Sequence, residues 1–203
     1  KEEEGFLFKV KKDFWLLLSL DISTSCTGWC IFNDQNELEG IGYINLSKHK
    51  GLYEKAAKVK SKLLKLILLY PIEAVAVEEN LQAFRPGLSS AKTLMTLAQF
   101  NGVVRWLCHS ELSVPIFAHN VNTARKSIGL KIDRKSSKST KEQVYDWVKS
   151  DNDQNIQEQA VIEWPTKILK SGPNKGKQRL CNEAYDMADS YVIGKAHFIL
   201  KNE

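Results

Sequence analysis

Residues 14–21 have the sequence FWLLLSLD, an almost unbroken apolar run that ends in an acid. A run of this length predicts a strand over 14–20 that is buried on both faces, as at the centre of an α/β sheet. Asp21 then lies at the carboxyl end of the strand, where open α/β sheets gather their ligand-binding groups. Alternatively, Asp21 can form a local turn with Ser23 and Thr24.

The other apolar runs predict how the remaining elements follow this strand. Runs over 28–32 and 41–45 come after short links, which predicts three antiparallel strands in a meander. Predicted helices over 51–70 and 89–108 then alternate with strands over 74–77 and 114–118, and such alternation requires crossovers between parallel strands. We therefore expect an α/β fold: a five-stranded mixed sheet, three antiparallel strands then parallel strands, with helices on both faces.

Length and composition indicate one domain. A chain of 203 residues that is 43% hydrophobic can bury one substantial core. We expect a charged lead-in over 1–13 and one domain over 14–203, with basic loops near 125–141 and 166–180. The start is acidic where a secretory signal is basic, and no apolar stretch approaches membrane-spanning length. The four cysteines form no CxxC pair, which is typical of reduced thiols in a cytosolic protein.

Positive charge is concentrated in two segments of the chain. The formal net charge is only +5, but residues 167–179 contain five basic residues and no acid. Such segments suit a phosphate backbone, although each can equally be a solvated loop. The other segment, residues 125–141, contains seven basic residues and the single acid Asp133. Its candidate DNA-binding residues are Arg125, Lys126, Lys131, Arg134, Lys135, Lys138 and Lys141.

Four acids are candidates for one shared site. Glu78 ends the fourth strand, and if that strand neighbours the first, Glu78 lies about 5 Å from Asp21. Asp186 and Asp189 are three residues apart on a predicted helix, Asp189 bordering its apolar stripe and Asp186 lying farther round. Clustered carboxylates suit Mg²⁺ or Mn²⁺, and two such ions about 4 Å apart can hydrolyse a phosphodiester. Solvated acids on a strand end and a helix surface are the alternative.

These motifs, taken in order, resemble the RuvC family of Holliday junction resolvases in the RNase H-like superfamily. The first acid is followed by a Thr-Gly-aromatic step at the family's spacing, and the second acid ends a Val-Glu strand. The resemblance spans about 14–197, with departures that suggest a bacteriophage or divergent member. The matching segments are Asp21 with Thr27-Gly28-Trp29, Val77-Glu78, Leu97 to Gly102, Lys141 to Val144, and Asp186 to Ser190.

The resemblance implies a function. Asp21, Glu78, Asp186 and Asp189 become catalytic metal ligands for two Mg²⁺ ions per site, with Mn²⁺ as a substitute, and Lys141 becomes a phosphate contact. The implied protein is a homodimer, paired mainly through helix 89–108, that nicks four-way or branched DNA. A bacterial or phage-infected cytoplasm is the implied location, with an organelle or nucleus left open.

Three other functions stay open at this point. An RNase H-like nuclease could act on flaps or hybrids, and a junction-binding protein could have lost its metal. Residues 21–25 faintly resemble the phosphate loop of sugar-kinase-like and actin-like ATPases. Those enzymes need two such domains, for which 203 residues scarcely suffice.

Overall fold

The computed structural model describes residues 15–79, 90–154 and 162–201. The expected lead-in over 1–13, and residues 14 and 89 at the starts of predicted elements, lie outside these ranges. The main sheet consists of five strands in the order β3-β2-β1-β4-β5. They are β1 (Leu16–Ile22), β2 (Cys26–Phe32), β3 (Leu38–Asn45), β4 (Ile72–Glu78) and β5 (Ile116–His119).

The directions of the strands confirm the predicted mixed sheet. Strands β1 and β2, and β2 and β3, pair antiparallel, whereas β4 is parallel to both β1 and β5. Among the described residues, five helices cover the two faces, as predicted: α1 and α2 pack on one face, and α3, α4 and α5 on the other. Their bounds are α1 (Leu52–Leu69), α2 (Ala91–Leu112), α3 (Val121–Ser127), α4 (Thr140–Gln154) and α5 (Asn182–Leu200).

Side-chain alternation assigns each strand residue to one helical layer. In β1, Leu16, Leu18 and Leu20 pack toward α1 and α2, and Leu17 packs toward α5. Because the period of a strand is two, Asp21 shares the face of Leu17. In β4 the same rule places Glu78 on the face of Ala74 and Ala76, which also belong to the α5 layer. Both strand acids therefore face α5.

Helix α5 lies unusually close to the sheet at Gly28. A Cβ atom on Gly28 would overlap the backbone carbonyl of Asp186, so only glycine fits at this position. Farther along, the buried hydroxyl of Ser19 donates a hydrogen bond to the backbone oxygen of Ser190 over 2.8 Å. Gly28 pairs with Asp21 across the strands. The close approach of helix and strand therefore occurs next to the first candidate acid.

The basic segment near 166–180 contains a small hairpin where we expected a loop. Strands β6 (Thr166–Ile168) and β7 (Gln178–Leu180) form a separate two-stranded antiparallel sheet. Their side chains are almost all exposed, so no alternation of apolar and polar residues marks them in the sequence. Likewise, the segment near 125–141 begins inside α3.

Two sequence-based expectations concern the chain as a whole. In the parts of the chain that the structure describes, no helix combines the length and apolar character needed to cross a membrane. All four cysteines are free thiols, and Cys26, Cys30 and Cys108 are buried. These three thiols therefore pack as small apolar residues.

Candidate active site

The four predicted acids lie around one cleft of about 840 Å³. Two of them come from neighbouring strands: Leu20 of β1 pairs with Val77 of β4, and Asp21 and Glu78 are the next residues on each strand. Adjacent strands lie about 4.8 Å apart, so these two carboxylates are close neighbours at the carboxyl ends of parallel strands. The pairing of β1 with β4 therefore places Asp21 and Glu78 next to each other, as the sequence predicted.

Helix α5 supplies the other two acids. Both Asp186 and Asp189 line the cleft, three residues apart on the helix. Asp186 is only 7% exposed, although helical periodicity placed it farther from the apolar stripe than Asp189. The reason is the contact at Gly28, which brings the backbone of Asp186 against β2. Periodicity within α5 cannot reveal that contact, because it depends on a glycine in another element.

Mutual repulsion and burial disfavour the ionised form of these acids. Burial raises the pKa of Asp21 well above its ordinary value of 3.8, and Asp189, Glu78 and Asp186 raise it further. The pKa of Glu78 is also raised, by burial and then by Asp189. The four carboxylates are thus close enough to influence one another. This is the electrostatic condition under which a bound cation has most to contribute.

Two cations partly offset this repulsion. The Lys141 ammonium lies 3.4 Å from Oδ1 of Asp186, and the Arg125 guanidinium donates to Oδ1 of Asp189 over 3.2 Å. Burial raises the pKa of both aspartates, while Lys141 lowers that of Asp186, and Arg125 and then Lys141 lower that of Asp189. The thiol of Cys26 also donates a hydrogen bond to Asp186, which lowers its pKa further. Two of the four acids therefore already have positive partners.

Helix caps position these two cations. Asn120 caps α3 by accepting hydrogen bonds from the amides of Asn122 and Thr123, and Arg125 follows in that short helix. At α4, the hydroxyl of Ser139 accepts from the Glu142 amide while the Glu142 carboxylate accepts from the Ser139 amide. This reciprocal capping box starts α4 and fixes Lys141 in its first turn.

The donor set fits a hard divalent cation in kind, because all four acids offer carboxylate oxygens. In the arrangement described for residues 15–79, 90–154 and 162–201, no group of three His, Cys, Asp or Glu side chains is placed closely enough to hold a metal ion. Asp186 contacts Lys141 and Asp189 contacts Arg125, so each of these two carboxylates directs an oxygen toward a side-chain cation. A metal ion would be held by Asp21, Glu78, Asp186 and Asp189.

The seven predicted DNA-binding residues lie in three places. Arg125 and Lys141 line the cleft itself. Lys126 and Lys131 line a smaller adjoining cleft of about 230 Å³ that Arg125 shares. The remaining three are exposed farther along the 131–138 segment, where Lys138 pairs with Asp146 over 2.6 Å: Arg134, Lys135 and Lys138.

Other residues in the cleft were not predicted from the sequence. Arg179, in strand β7 of the hairpin, lines the cleft, and so does Glu79. Asn101 of α2 also lines it, is only 4% exposed, and its Oδ1 atom has no hydrogen-bond partner among the described residues. The resemblance of Leu97 to Gly102 to a family motif is the one sequence signal that included Asn101.

Comparisons with known proteins concern the sequence and the fold. No protein-family model matches the chain. Among curated proteins, the crossover junction endodeoxyribonuclease RuvC of Ehrlichia ruminantium (strain Welgevonden) is 29% identical over 118 residues, covering 55% of this chain and 70% of that protein.

Solved structures match over most of the chain. Thermus thermophilus RuvC in complex with Holliday junction substrate has a TM-score of 0.59 at 15% identity, covering 93% of this chain and 95% of that chain. The yeast mitochondrial Holliday junction resolvase Ydc2 has a TM-score of 0.58 at 16% identity, covering 92% and 78%. The resemblance to RuvC-family Holliday junction resolvases is therefore confirmed, by sequence over about half of the chain and by an RNase H-like fold over nearly all of it.

Proposed function

We propose that this protein is a structure-specific endonuclease that binds four-way (Holliday) or branched DNA and nicks its strands by two-metal-ion phosphodiester hydrolysis. The observation that carries the proposal is the convergence of Asp21, Glu78, Asp186 and Asp189 in one cleft. The similarity to a RuvC structure that contains a Holliday junction supports four-way DNA as the substrate.

Each group in the cleft has a role in this proposal. The four carboxylates hold two Mg²⁺ ions, for which Mn²⁺ substitutes. When bound, such ions supply an activated water and stabilise the leaving oxygen. Lys141 and Arg125 reduce the repulsion between the acids, and each can pair with a phosphate oxygen of the DNA. Lys126 and Lys131 extend the positive surface beside Arg125.

We further propose a homodimer in which α2 pairs with its copy. Met95 and Trp106 are each 63% exposed, which is unusual for large apolar side chains. Ala98 and Gly102 lie between them on the same helical face and are exposed too, so a second helix could approach closely. Two-fold symmetry would present equivalent active sites to two equivalent strands of a junction.

The test is cleavage of a synthetic four-way junction in Mg²⁺ or Mn²⁺. We expect Asp21→Asn and Glu78→Gln, and likewise Asp186→Asn and Asp189→Asn, to abolish cutting while junction binding persists. Glu73→Gln is the matched control, because Glu73 lies at the opposite end of β4 and is exposed. Full cutting by the four cleft variants would refute the assignment, and preferential cutting of flaps or hybrids would indicate a different substrate.

A second candidate is a junction-binding protein without nuclease activity. The ion pairs at Asp186 and Asp189, together with the lack of a ready three-group metal site among the described side chains, favour it. Binding without cutting in Mn²⁺ would support this candidate. Calorimetric titration with Mn²⁺ then distinguishes the two, because the nuclease requires metal binding that the Asp21→Asn substitution weakens.

A further inference from the structure

A second cleft, beside the edge strand β3 and helix α1, is lined by cations. It has a volume of about 460 Å³ and lies between the end of β3 and helix α1. We call it the lysine groove. None of the described residues that line it is acidic: Tyr43, Ile44, Asn45, Lys48, His49, Lys58, Ser61, Lys62 and Lys65.

The groove concentrates like charges that its own structure does not neutralise. Lys58, Lys62 and Lys65 lie on one face of α1 at spacings of three, four and seven residues, where like charges destabilise a helix. The pKa of Lys62 is lowered, by burial and then by Lys65. By contrast, Lys60 on another face of α1 pairs with Glu111 over 2.8 Å. No ion pair of this kind forms at the groove lysines among the described residues.

The lysine groove and the acid cleft open at the same end of the sheet. Asp21 pairs with Gly28, and Gly28 pairs with Tyr43 of the groove, so the three lie in one row across β1, β2 and β3. Two strand separations make this row about 10 Å long. At the rim, the Asn45 amide donates to Glu183 of α5 over 2.8 Å. One polymer could therefore occupy both clefts at once.

We propose that the lysine groove binds the sugar-phosphate backbone of a DNA arm that leaves the acid cleft. The proposal rests on the proposed function, because it assumes that branched DNA occupies that cleft. From Lys58 to Lys65 the helix rises about 10 Å, and phosphates on one strand follow each other every 3.4 Å or so along a duplex. The groove can thus contact about three phosphates, with the ring of Tyr43 at its edge.

Sheet-edge protection is the competing explanation. Strand β3 is an edge strand, and proteins often place lysines beside such edges to prevent pairing with another chain. That role makes no use of DNA. It therefore predicts that the affinity for DNA and its salt dependence are the same with or without the groove lysines.

The test compares two double variants that each lose two positive charges. Lys58→Gln with Lys65→Gln alters the groove, and Lys60→Gln with Lys149→Gln is the control, since Lys149 lies two turns beyond Lys141 on α4. Binding to a fluorescent four-way junction is measured without divalent metal over a range of salt. We expect the groove variant to bind at least about tenfold more weakly at 0.1 M salt, with the slope of log K against log salt reduced by about two.

The outcomes separate this proposal from the proposed function. The control should keep the wild-type slope, and thermal unfolding should show both variants folded. A groove variant with wild-type affinity and slope would overturn the groove assignment alone. Failure of the wild-type protein to bind the junction would overturn the proposed function, and the groove assignment with it. Backbone footprinting should show that the groove variant loses protection on one arm and keeps it at the branch point.

Discussion

At the scale of single residues, Asp21 has the least favourable surroundings for a charge. It is half-buried beside three other acids, and its pKa is raised well above 3.8. At a pH above this raised pKa, Asp21 is ionised in the folded protein, and its charge lowers the free energy of unfolding. This destabilisation disappears as the pH falls through the raised pKa and the carboxylate is protonated. Asp21 in the cleft therefore lowers the stability of the folded protein at neutral pH.

We predict that Asp21→Asn stabilises the metal-free protein at neutral pH. The substitution removes a repelled charge, and Tm should rise by about 2–4 °C for each kcal/mol relieved. Differential scanning fluorimetry in a chelator measures the change, with Glu73→Gln as the control. Adding Mn²⁺ should then raise the Tm of the wild type more than that of the variant. A variant that is less stable in chelator would contradict the account of repulsion.

His197 presents the opposite case, a base kept neutral by its surroundings. It is fully buried, its Nδ1 lies 3.0 Å from Nε2 of His119, and it stacks on Trp15. Burial, with smaller effects from His119 and Lys201, lowers the pKa of His197 to about 4. Between pH 6.5 and about 4 the unfolded chain binds a proton that the folded chain does not. Stability contributed by the neutral ring is thus present above pH 6.5 and is lost toward pH 4.

We predict that this residue contributes to acid sensitivity. The wild type should lose up to about 3 kcal/mol more than His197→Gln as the pH falls from 6.5 to 4, since 2.5 pKa units correspond to that energy. Urea unfolding at several pH values measures the difference between the two proteins. Both proteins contain the cleft acids, whose protonation stabilises the folded state as the pH falls, so this effect cancels in the difference between them. Parallel curves for the two proteins would exclude His197 as the cause.

At the scale of elements, the position of α5 determines the site. Its acids reach the cleft because Gly28 lets the helix backbone touch β2. The sequence identified β1, β4 and the acids at their ends, because buried strands with period two carry a strong signal. It misjudged the burial of Asp186, since that depends on contact between distant elements. It also missed the hairpin and Asn101, because exposed three-residue strands and a single amide on α2 have no periodic pattern.

We predict that Gly28→Ala damages both stability and the site. The methyl group would meet the carbonyl of Asp186, so α5 must shift, at a cost of about 1–3 kcal/mol. Urea unfolding measures the loss, and junction cleavage should fall with it. Gly51→Ala is the stability control, because the atom nearest to an added Cβ at Gly51 is 3.7 Å away, an ordinary contact. Equal stability of the two variants would contradict the proposed tight contact.

At the scale of the whole molecule, the two clefts and the exposed face of α2 are formed by different residues. The acid cleft and the lysine groove open at one end, whereas the exposed face of α2 carries Met95 and Trp106. Binding of DNA and association of two chains can therefore use different parts of the protein. The sequence suggested both functions through its charge runs and its resemblance to RuvC. It could not show that they are separate, because that depends on which helix covers which face.

We predict that Trp106→Glu converts a dimer into a monomer. A charge on this face would have to be desolvated in the interface, so the mass measured by light scattering at micromolar concentration should halve. Tyr53→Glu is the control, because Tyr53 is 84% exposed on α1 and lies outside the α2 face. A monomeric wild type under these conditions would contradict the homodimer.

Only one residue connects the hairpin to the helix that carries Asp186 and Asp189. Strand β7 ends at Leu180, α5 begins at Asn182, and Asp186 follows within the second turn. A force that a bound polymer exerts on the basic hairpin would be transmitted directly by helix α5 to Asp186 and Asp189, two of the four acids. Binding at the hairpin and the alignment of the acids would then be coupled. A polymer bound in the wrong position at the hairpin would leave Asp186 and Asp189 out of alignment.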